Sequence, residues 1–301
     1  MVVSDPVVAV LGLGAMGLPM AARLAERFAV TAFDLTAGRR AAAREAGATD
    51  RRTAIEAVAG ADVVVIAVRS AGQLDAVLFG SEGVAAHLEE GCTVILTSTV
   101  GIQAARGASA RLAEAGTGLR LVDAPLSGGP VRARAGDLLI VVGAEDAAYA
   151  HVEPVLRMLG STISRVGALP GDGQALKTVN QLLCGVHIAA AAEALALADA
   201  LGLDQAAALE ALGEGAAASF MLANRGPRML DAYGDDGAEV LSRLDIFVKD
   251  LGIVGDAARS AGMAAPVAAA AEQLFLLGAA QGLATEDDSA VIRVVAPTRR
   301  T

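Results

Sequence analysis

The chain has 301 residues, of which 54% are hydrophobic and 19% charged, enough to bury a large core and to divide into two domains. A formal net charge of −10, without any Lys/Arg-rich run, excludes nucleic acid and other polyanions as partners. The two cysteines, Cys92 and Cys184, lack the spacing of metal ligands and sit in apolar contexts, which predicts buried free thiols in a reducing cytosol and no metal site.

Short apolar runs alternate with helical patterns through the first half of the chain. The apolar runs predict strands at 7–11, 30–33, 63–67, 94–96, 121–123, 138–142 and 164–166. The patterns between them predict helices at 18–27, 37–46, 102–115 and 147–159. Because this alternation is typical of a mainly parallel, doubly wound sheet, we predict an α/β Rossmann domain over residues 1–169.

A glycine-rich loop follows the first predicted strand, with the sequence Gly12-Leu13-Gly14-Ala15-Met16-Gly17. In such a loop the first glycine makes a tight turn, the second lets the backbone approach a pyrophosphate, and the third lets the next helix pack close to the sheet. The second strand ends near Asp34, whose carboxylate can accept hydrogen bonds from ribose hydroxyls and repel a 2′-phosphate. The set predicts a bound dinucleotide, NAD in preference to NADP. Arg39 and Arg40 either soften that preference or form a solvated helix face.

The pattern changes near residue 170, where a Pro/Gly-containing segment precedes helix after helix. We predict an all-helical domain over 170–301, used for substrate binding and oligomerisation. Its first helical stretch, 174–203, is apolar on nearly every face, Ile188 included, so a second subunit is the expected cover in a homodimer or homotetramer. Charged residues interrupt its apolar runs, and no basic segment precedes the first strand. We therefore expect no membrane span and no signal peptide, but a soluble, cytoplasmic protein with a frayed end at 297–301.

A mid-chain segment, Asp123-Ala-Pro-Leu-Ser127-Gly128-Gly129-Pro130, follows a predicted strand. The prolines rigidify the turn, while Ser127 and the two glycines can present a hydroxyl and successive backbone N–H groups. This combination makes a nest that suits a carboxylate, and the alternative is a plain loop.

Lys177 lies near the start of the long helical stretch, and Asn180 and Gln181 follow it at helical spacing on the same face. Lysine is rare in this chain, since only Lys177 and Lys249 occur among many arginines. A partly desolvated lysine can exchange a proton with a substrate hydroxyl, while Asn180 or Gln181 orients a hydroxyl. The alternative is a surface lysine on an amphipathic helix.

Two further residues are candidates for the cofactor site. Thr99 follows a predicted strand, at the carboxyl edge of the sheet where ligands of such sheets bind. Lys249 is either a cation that reaches the nicotinamide end of the cleft or an ion-pair partner of the adjacent Asp250. His187, in an apolar context, is predicted to be a core or interface residue and not a catalytic base.

Four motifs in this order resemble the β-hydroxyacid dehydrogenase family, relatives of 3-hydroxyisobutyrate dehydrogenase: GLGAMGLPMA, DAPLSGGPVRARAG, GDGQALKTVNQLL and FVKDLG. The resemblance covers nearly the whole chain. It implies an N-terminal Rossmann domain, an all-helical C-terminal domain, NAD or NADP as cofactor, and a small carboxylate substrate. The site residues that it implies are Lys177 for catalysis, Ser127, Gly128 and Gly129 for the carboxylate, and Thr99 and Lys249 for the cofactor.

The chain also resembles one branch of that family, the L-threonate dehydrogenases, through QLLCGVHIAAAAEALALADALG, LDIFVKDLGIV and EDDSAVI. That resemblance implies a sugar acid of about four carbons, oxidised at C2 to a 2-keto acid. Two departures stand out: the branch has His at the position of Asn180, and many family members have Asn where this chain has Gln181. Other β-hydroxy acids (3-hydroxyisobutyrate, tartronate semialdehyde or glycerate) remain alternatives, as does an inactive dinucleotide-binding scaffold.

Two related families differ from the chain at the residues that carry their chemistry. The 6-phosphogluconate dehydrogenases have a catalytic Glu seven residues after the lysine, where this chain has Cys184, so we expect no decarboxylation. The imine reductases replace the lysine, which this chain retains. The prediction is therefore hydride transfer coupled to proton transfer at Lys177.

Overall fold

A computed structural model describes residues 5–298 of the chain. The chain divides into two compact units, one up to Lys177 and the other from Thr178 onward. The first is α/β and the second is helical, so the predicted fold class is confirmed. The domain limits 1–169 and 170–301 stay a prediction. The first four residues and the last three of the predicted frayed end lie outside the described residues.

The sheet of the first unit is mainly parallel. Its strands are β1 Val8–Leu11, β2 Val30–Phe33, β3 Thr49–Asp50, β4 Val63–Ile66, β5 Thr93–Leu96, β6 Arg120–Asp123, β7 Leu126–Ser127, β8 Leu139–Gly143 and β9 Thr162–Gly167. Six of them run parallel in the order β3-β2-β1-β4-β5-β6. At the far edge β8 runs antiparallel to both β6 and β7, and β9 pairs parallel with β8. The strand order reverses at β1 and β4, and ligands of such sheets bind at the carboxyl ends of the strands there.

Seven helices of the first unit connect these strands within the described residues. They are α1 Gly17–Ala25, α2 Ala37–Glu45, α3 Ala54–Val58, α4 Ala71–Phe79, α5 Ile102–Ala115, α6 Gly129–Ala135 and α7 Asp146–Leu159. The short elements β3, β7, α3, α4 and α6 are not among the predicted strands and helices. Only two residues each of α3 and α4 are buried, so their apolar periodicity is weak.

Alternate residues of β1 enter two different apolar layers. Val8 and Val10 pack in the layer that contains α1 and α7, whereas Ala9 and Leu11 pack in the layer that contains α4 and α5. A parallel sheet covered by helices on both faces has strands that are apolar throughout. The uninterrupted apolar run of β1 follows from this double burial.

The second unit is built from helices that surround one apolar core. The helices are α8 Asp172–Ala200, which begins in the first unit, α9 Gln205–Gly213, α10 Phe220–Asp231, α11 Leu244–Ser260, α12 Pro266–Ala280 and α13 Ile292–Val295. Phe247 of α11 stacks on Phe275 of α12, with 5.2 Å between the ring centroids. This pair lies in a core to which residues of α8 also contribute.

A buried ionic cluster joins α10 to the late segment that contains Asp287 and Asp288. Arg228 Nε lies 2.9 Å from Asp287 Oδ1, and Arg225 Nη2 lies 2.8 Å from Asp288 Oδ2. Burial raises the pKa of the Asp288 carboxyl, and Arg225 lowers it only in part. For Asp287, burial is outweighed by the Ser289 and Ser242 hydrogen bonds and the Arg228 charge, so its pKa falls below the usual value. Removing one partner would leave a buried charge uncompensated, so the cluster holds this segment on α10.

The chain itself covers one part of α8 and leaves another part exposed. Ile188 and Leu195 are fully buried by the chain itself, so the expectation that a second subunit covers Ile188 is wrong. Leu183 and Leu197 are exposed. By length and composition alone α8 could cross a membrane, but half of its most apolar 18-residue window is buried in the fold, as in core helices of soluble proteins. Cys92 is buried as predicted, while Cys184 is only half-buried.

The first turn of α8 is held by two buried side chains of the first unit, Asp123 and Gln174. Asp123 Oδ2 accepts hydrogen bonds from the backbone N–H groups of Gly171 (2.9 Å) and Gln174 (2.8 Å), and Asp123 Oδ1 accepts one from Gln174 Nε2 (2.8 Å). Gln174 Nε2 also donates to Ser98 O, and Gln174 Oε1 accepts from Val100 N. A carboxylate at a helix N-terminus stabilises the helix and satisfies N–H groups that have no partner within it. The helix is thereby fastened to the carboxyl ends of β5 and β6.

Replacement of Gln174 by Leu tests this fastening. The variant removes the amide oxygen and nitrogen of the Gln174 side chain. Asp123 Oδ1 and the buried backbone groups of Ser98 and Val100 then lose a hydrogen-bond partner. We expect the free energy of unfolding of this unit to fall by at least about 2 kcal/mol in urea denaturation. Gln103→Leu, at an exposed position of α5, is the matched control and should change it by less than about 0.5 kcal/mol. Equal stability of the two variants would contradict the assignment.

Candidate functional site

The three glycines of the N-terminal loop meet three different surroundings. Gly12 has a φ of +93°, and a Cβ there would overlap the carbonyl oxygen of Ala67. A Cβ on Gly17 would overlap the carbonyl oxygen of Gly12, so the helix packs too closely for any side chain. A Cβ on Gly14 would meet nothing within 4 Å. The open space is therefore at the glycine where a ligand is predicted to approach.

The N-terminus of α1 has hydrogen-bond donors to offer. Within residues 5–298, the backbone N–H groups of Gly14, Ala15 and Met16 have no protein acceptor, whereas the N–H of Leu13 donates to Asp34 Oδ2 at 2.8 Å. Unpaired N–H groups and the positive end of the helix dipole suit a phosphate group. The loop thus has the donor set and the space that a dinucleotide diphosphate requires.

Asp34 lies just after β2 and is 8% exposed. Its two carboxylate oxygens accept from the backbone N–H groups of Leu13 and Thr36, and Arg39 Nη1 lies 3.5 Å from Oδ2. Burial acts to raise the pKa of the Asp34 carboxyl, but these N–H groups and the Arg39 charge together lower it below its usual value. Arg40 instead donates to the carbonyl oxygen of Asp34. The carboxylate is therefore ionised at neutral pH and already has a cation beside it.

Ser127 and Lys177, fifty positions apart in the chain, are in contact. Lys177 Nζ donates to Ser127 Oγ at 3.0 Å, and Lys177 is only 7% exposed. Ser127 ends β7, and Gly128 and Gly129 follow with φ values of +139° and +75°, a conformation that L side chains rarely adopt. Within the described residues the N–H groups of Gly128 and Gly129 have no acceptor. The segment joins β7 to α6 and lies beside the buried ammonium group of Lys177. The nest stays a prediction, and this arrangement is compatible with it.

Thr99 is half-buried and follows β5, between two residues that bind the side chain of Gln174. Ser98 accepts a hydrogen bond from Gln174 through its carbonyl oxygen, and Val100 donates one through its N–H. The position of Thr99 at the carboxyl edge of the sheet therefore depends on Gln174, a residue of the GDGQALKTVNQLL motif that has no predicted role.

In the second unit, four polar side chains form one hydrogen-bonded series. Lys249 Nζ lies 2.5 Å from Asp250 Oδ1, and Gln181 Nε2 donates to Asp250 Oδ2 at 2.5 Å. Asn180 Nδ2 then donates to Gln181 Oε1 at 2.9 Å and lies 3.4 Å from Cys184 Sγ. The buried Asp250 carboxylate fixes the orientation of both amides. Because it accepts from the NH₂ group of Gln181, the carbonyl oxygen of Gln181 is left to accept from the NH₂ group of Asn180. Both ends of Gln181 are used, whereas Asn180 Oδ1 has no partner among the described residues.

The predicted site residues thus fall into separate groups within each unit. The first unit contains the glycine loop with Asp34, and the Ser127–Gly129 nest with Lys177. The second contains Asn180, Gln181 and Lys249, which the sequence analysis did not connect through Asp250. From the sequence, Asp250 is expected only as an ion-pair partner of Lys249. It lies three residues after the core residue Phe247, and this spacing does not predict its contact with Gln181 of α8. Within residues 5–298 no group of three or more His, Cys, Asp or Glu side chains is arranged to hold a metal ion.

Comparison with known proteins covers both units. Residues 7–167 match the family model described as the NAD binding domain of 6-phosphogluconate dehydrogenase, and residues 171–295 match the one described as NAD-binding of NADP-dependent 3-hydroxyisobutyrate dehydrogenase. The chain is 41% identical over 288 residues to an L-threonate dehydrogenase of Cupriavidus necator, which covers 95% of each. It is 35% identical to a 2-(hydroxymethyl)glutarate dehydrogenase of Eubacterium barkeri, covering 94% of this chain and 93% of the relative. A crystal structure of 3-hydroxyisobutyrate dehydrogenase from Salmonella typhimurium matches with a TM-score of 0.88 and 36% identity, covering 96% of this chain and 100% of that one.

Proposed function

The chain belongs to the 3-hydroxyisobutyrate dehydrogenase family of NAD(P)-dependent enzymes that act on hydroxy acids, and on that basis we propose that it oxidises a four-carbon sugar acid at C2, with L-threonate as the substrate. The contact between Lys177 Nζ and Ser127 Oγ is the observation that carries the proposal. It puts a buried amine beside a group that can bind a carboxylate, as oxidation of a 2-hydroxy acid requires.

The substrate carboxylate binds at the nest. The N–H groups of Gly128 and Gly129 and the hydroxyl of Ser127 donate to its oxygens, in the way that backbone nests bind anions. The C2 hydroxyl, on the carbon next to the carboxylate, then comes within reach of Lys177. Binding of the carboxylate thereby orients the reacting carbon.

Lys177 exchanges the proton. In oxidation its neutral amine takes the proton from the C2 hydroxyl at Nζ, and in reduction its ammonium returns the proton to the developing alkoxide. A nicotinamide cofactor, held by the glycine loop and Asp34, would supply the hydride acceptor for oxidation and the hydride donor for reduction. Because Lys177 is nearly buried, little water competes for that proton.

Asn180 binds a second hydroxyl of the substrate through its side-chain amide. From the sequence, either Asn180 or Gln181 could orient a substrate hydroxyl, but both ends of the Gln181 amide have protein partners. Asn180 uses its NH₂ group within the protein, so it presents a carbonyl oxygen, and that oxygen accepts from a hydroxyl. It follows Lys177 by three positions in one helix, which favours the hydroxyl at C3, next to the reacting carbon.

NAD is the preferred cofactor in this proposal. The ionised, buried Asp34 carboxylate disfavours a 2′-phosphate, and Arg39, 3.5 Å away, reduces that repulsion without removing it. Thr99 and Lys249 are proposed as further cofactor contacts. We place the enzyme in the cytoplasm, where reduced thiols and a pool of NAD are available.

We also propose that the enzyme is a homo-oligomer, at least a dimer. Large apolar side chains recur along one side of α8 and just after it, and they are 41% to 69% exposed: Leu176, Val179, Leu183, Leu197 and Leu201. Large exposed apolar side chains that recur on one side of a helix are typical of protein interfaces. A second copy of this chain is its proposed partner.

A substrate panel tests the proposed reaction. L-threonate, 3-hydroxyisobutyrate, glycerate and 2,4-dihydroxybutyrate, which lacks only the C3 hydroxyl of threonate, are each assayed with NAD and with NADP. We expect the highest kcat/KM for L-threonate with NAD, and a discrimination against the 3-deoxy acid of at least about tenfold because Asn180 is then left unpaired. Asn180→Leu should abolish that discrimination. A better substrate among the other acids would overturn the threonate assignment, and no turnover of any would favour the inactive scaffold.

Lys177→Ala tests the role of the amine. Turnover should fall on the order of a hundredfold to ten-thousandfold, as expected for loss of a general acid–base, while the dissociation constant of NADH stays unchanged. Lys177→Arg should also be inactive, because a guanidinium group stays protonated and cannot accept the proton. More than a tenth of the native activity in Lys177→Ala would assign the proton to another residue.

Sedimentation at low micromolar concentration tests the oligomer. The native protein should sediment at a multiple of the 30.1 kDa chain mass, and the double variant Leu183→Asp/Leu197→Asp should shift toward the monomer. Val240→Asp, at a 51% exposed position outside the α8 surface, is the control and should not. Ile188→Asp is unsuitable, since it would disrupt the core of the chain itself. A monodisperse native species at the chain mass would contradict the proposal.

A further inference from the structure

A cavity of about 560 Å³ lies against the glycine loop in the first unit. Its lining includes Gly14 and Ala15 of the glycine loop, Arg39 of α2, and Val131 and Arg134 of α6. Its charged lining residues are two arginines, with no carboxylate among the residues that border it. In a chain with a net charge of −10, this concentration of positive charge beside unpaired N–H groups indicates an anionic ligand.

Arg134 differs from most arginines of this chain. It forms no hydrogen bond or ion pair with any residue between 5 and 298, although Arg132, two positions earlier on the same helix, pairs with Asp137 at 2.9 Å. An arginine that lines a cavity without a protein partner has all five of its N–H donors available there. Arginine binds phosphate groups in a bidentate manner, which a single lysine ammonium cannot do.

Val131 precedes Arg134 by three positions, so the two side chains share one face of α6. Val131 is 75% exposed, unusually high for a large apolar side chain, and borders the same cavity. The face therefore combines apolar surface with a cation, which matches the alternating sugar and phosphate groups of a dinucleotide. Neither residue was singled out by the sequence analysis, because the glycine signature accounts only for α1.

We infer that Arg134 is a cofactor-binding residue that pairs with the diphosphate, opposite the N–H groups of Gly14 and Ala15, while Val131 covers the adjoining ribose. The cofactor is then held from two sides, by the start of α1 and by α6. The alternative anion, the 2′-phosphate of NADP, belongs near Asp34, which marks the ribose end of the site and pairs with Arg39. Arg39 and Arg134 both border the cavity, but Arg39 already pairs with Asp34, so Arg134 is the cation available to the diphosphate beside Gly14 and Ala15.

The inference makes α6 a link between two functions. Its first residues carry the N–H groups proposed for the substrate carboxylate, and Arg134 lies less than two turns later. A cofactor that orders α6 through Arg134 would also order the nest. The inference itself depends only on cofactor binding, so it does not require that the proposed substrate is right.

The test is the binding of NADH and of NADPH, each measured by fluorescence titration without substrate. Arg134→Gln should raise the dissociation constants of both cofactors by the same factor, on the order of tenfold, and should flatten their dependence on salt concentration. Arg134→Lys should fall in between. Arg120→Gln is the matched control: Arg120 is exposed, lacks an ion pair within residues 5–298, and begins β6, away from the cavity. It should change neither constant.

Two outcomes would overturn the inference. Loss of NADPH affinity with unchanged NADH affinity would assign Arg134 to the 2′-phosphate, and unchanged affinity for both would remove it from the site. Because Arg134 is exposed and has no partner among the described residues, Arg134→Gln should unfold in urea at the same midpoint as the native protein. A weakened cofactor affinity together with native stability therefore supports a direct contact, whichever hydroxy acid the enzyme oxidises.

Discussion

The proposed site of this protein depends on the hydrogen bonds between Asp123 and the first turn of α8. Asp123 lies at the end of a central strand and is fully buried, with its carboxylate on the helix N-terminus. Burial raises the pKa of the Asp123 carboxyl, and the N–H groups of Gln174 and Gly171 act in the opposite direction by stabilising its charge. The geometry also explains why residue 173 is glycine: a Cβ there would lie 2.9 Å from the carbonyl oxygen of Asp123. The buried Asp123 carboxylate thereby fixes where α8 begins, and with it the position of Lys177 in the first turns of that helix.

Gln174 extends the same constraint across the sheet edge. Its amide oxygen accepts from Val100 and Gly101, and its amide nitrogen donates to Ser98, so the loop after β5 and the start of α8 are one hydrogen-bonded unit. The neighbouring Lys177 contacts Ser127 in the connection between β7 and α6. The backbone of Lys177, the proposed proton-transfer residue, is therefore held in place by a frame of these hydrogen bonds. Only its side chain is flexible, and its Nζ is held by the contact with Ser127. Frames of this kind reduce the cost of orienting a general acid–base group.

The two units stabilise their buried polar groups differently. In the first unit Asp123 accepts hydrogen bonds from neutral N–H donors, whereas in the second Asp287 and Asp288 pair with the guanidinium groups of two arginines. Asp287 also accepts from neutral donors, the N–H groups of Leu241 and Ser289 among them. These ion pairs join the late segment to α10, while Val291 and Ile292 of the same segment pack in the apolar core. The EDDSAVI sequence, at first a mark of resemblance, thus has a physical role in the fold. The Asp250 carboxylate has a third kind of role, since it accepts from one amide and one ammonium and so sets the direction of the Asn180 amide.

The sequence by itself determined the features that depend on local spacing. Strand–helix alternation predicts the parallel sheet, the glycine pattern predicts the loop at Gly12–Gly17, and the long apolar stretch predicts α8, because each is written in consecutive residues. Tertiary structure alone decided which distant residues meet: Lys177 with Ser127, Gln181 with Asp250, and Arg134 with the cavity at Gly14. Tertiary structure also decided which side of α8 stays exposed. When a helix is apolar on all faces, its sequence does not indicate which face the rest of the chain buries. The periodicity of apolar residues indicates which face of a segment is buried. A contact between two distant segments depends on the path of the chain between them, which the spacing of residues in one sequence does not show.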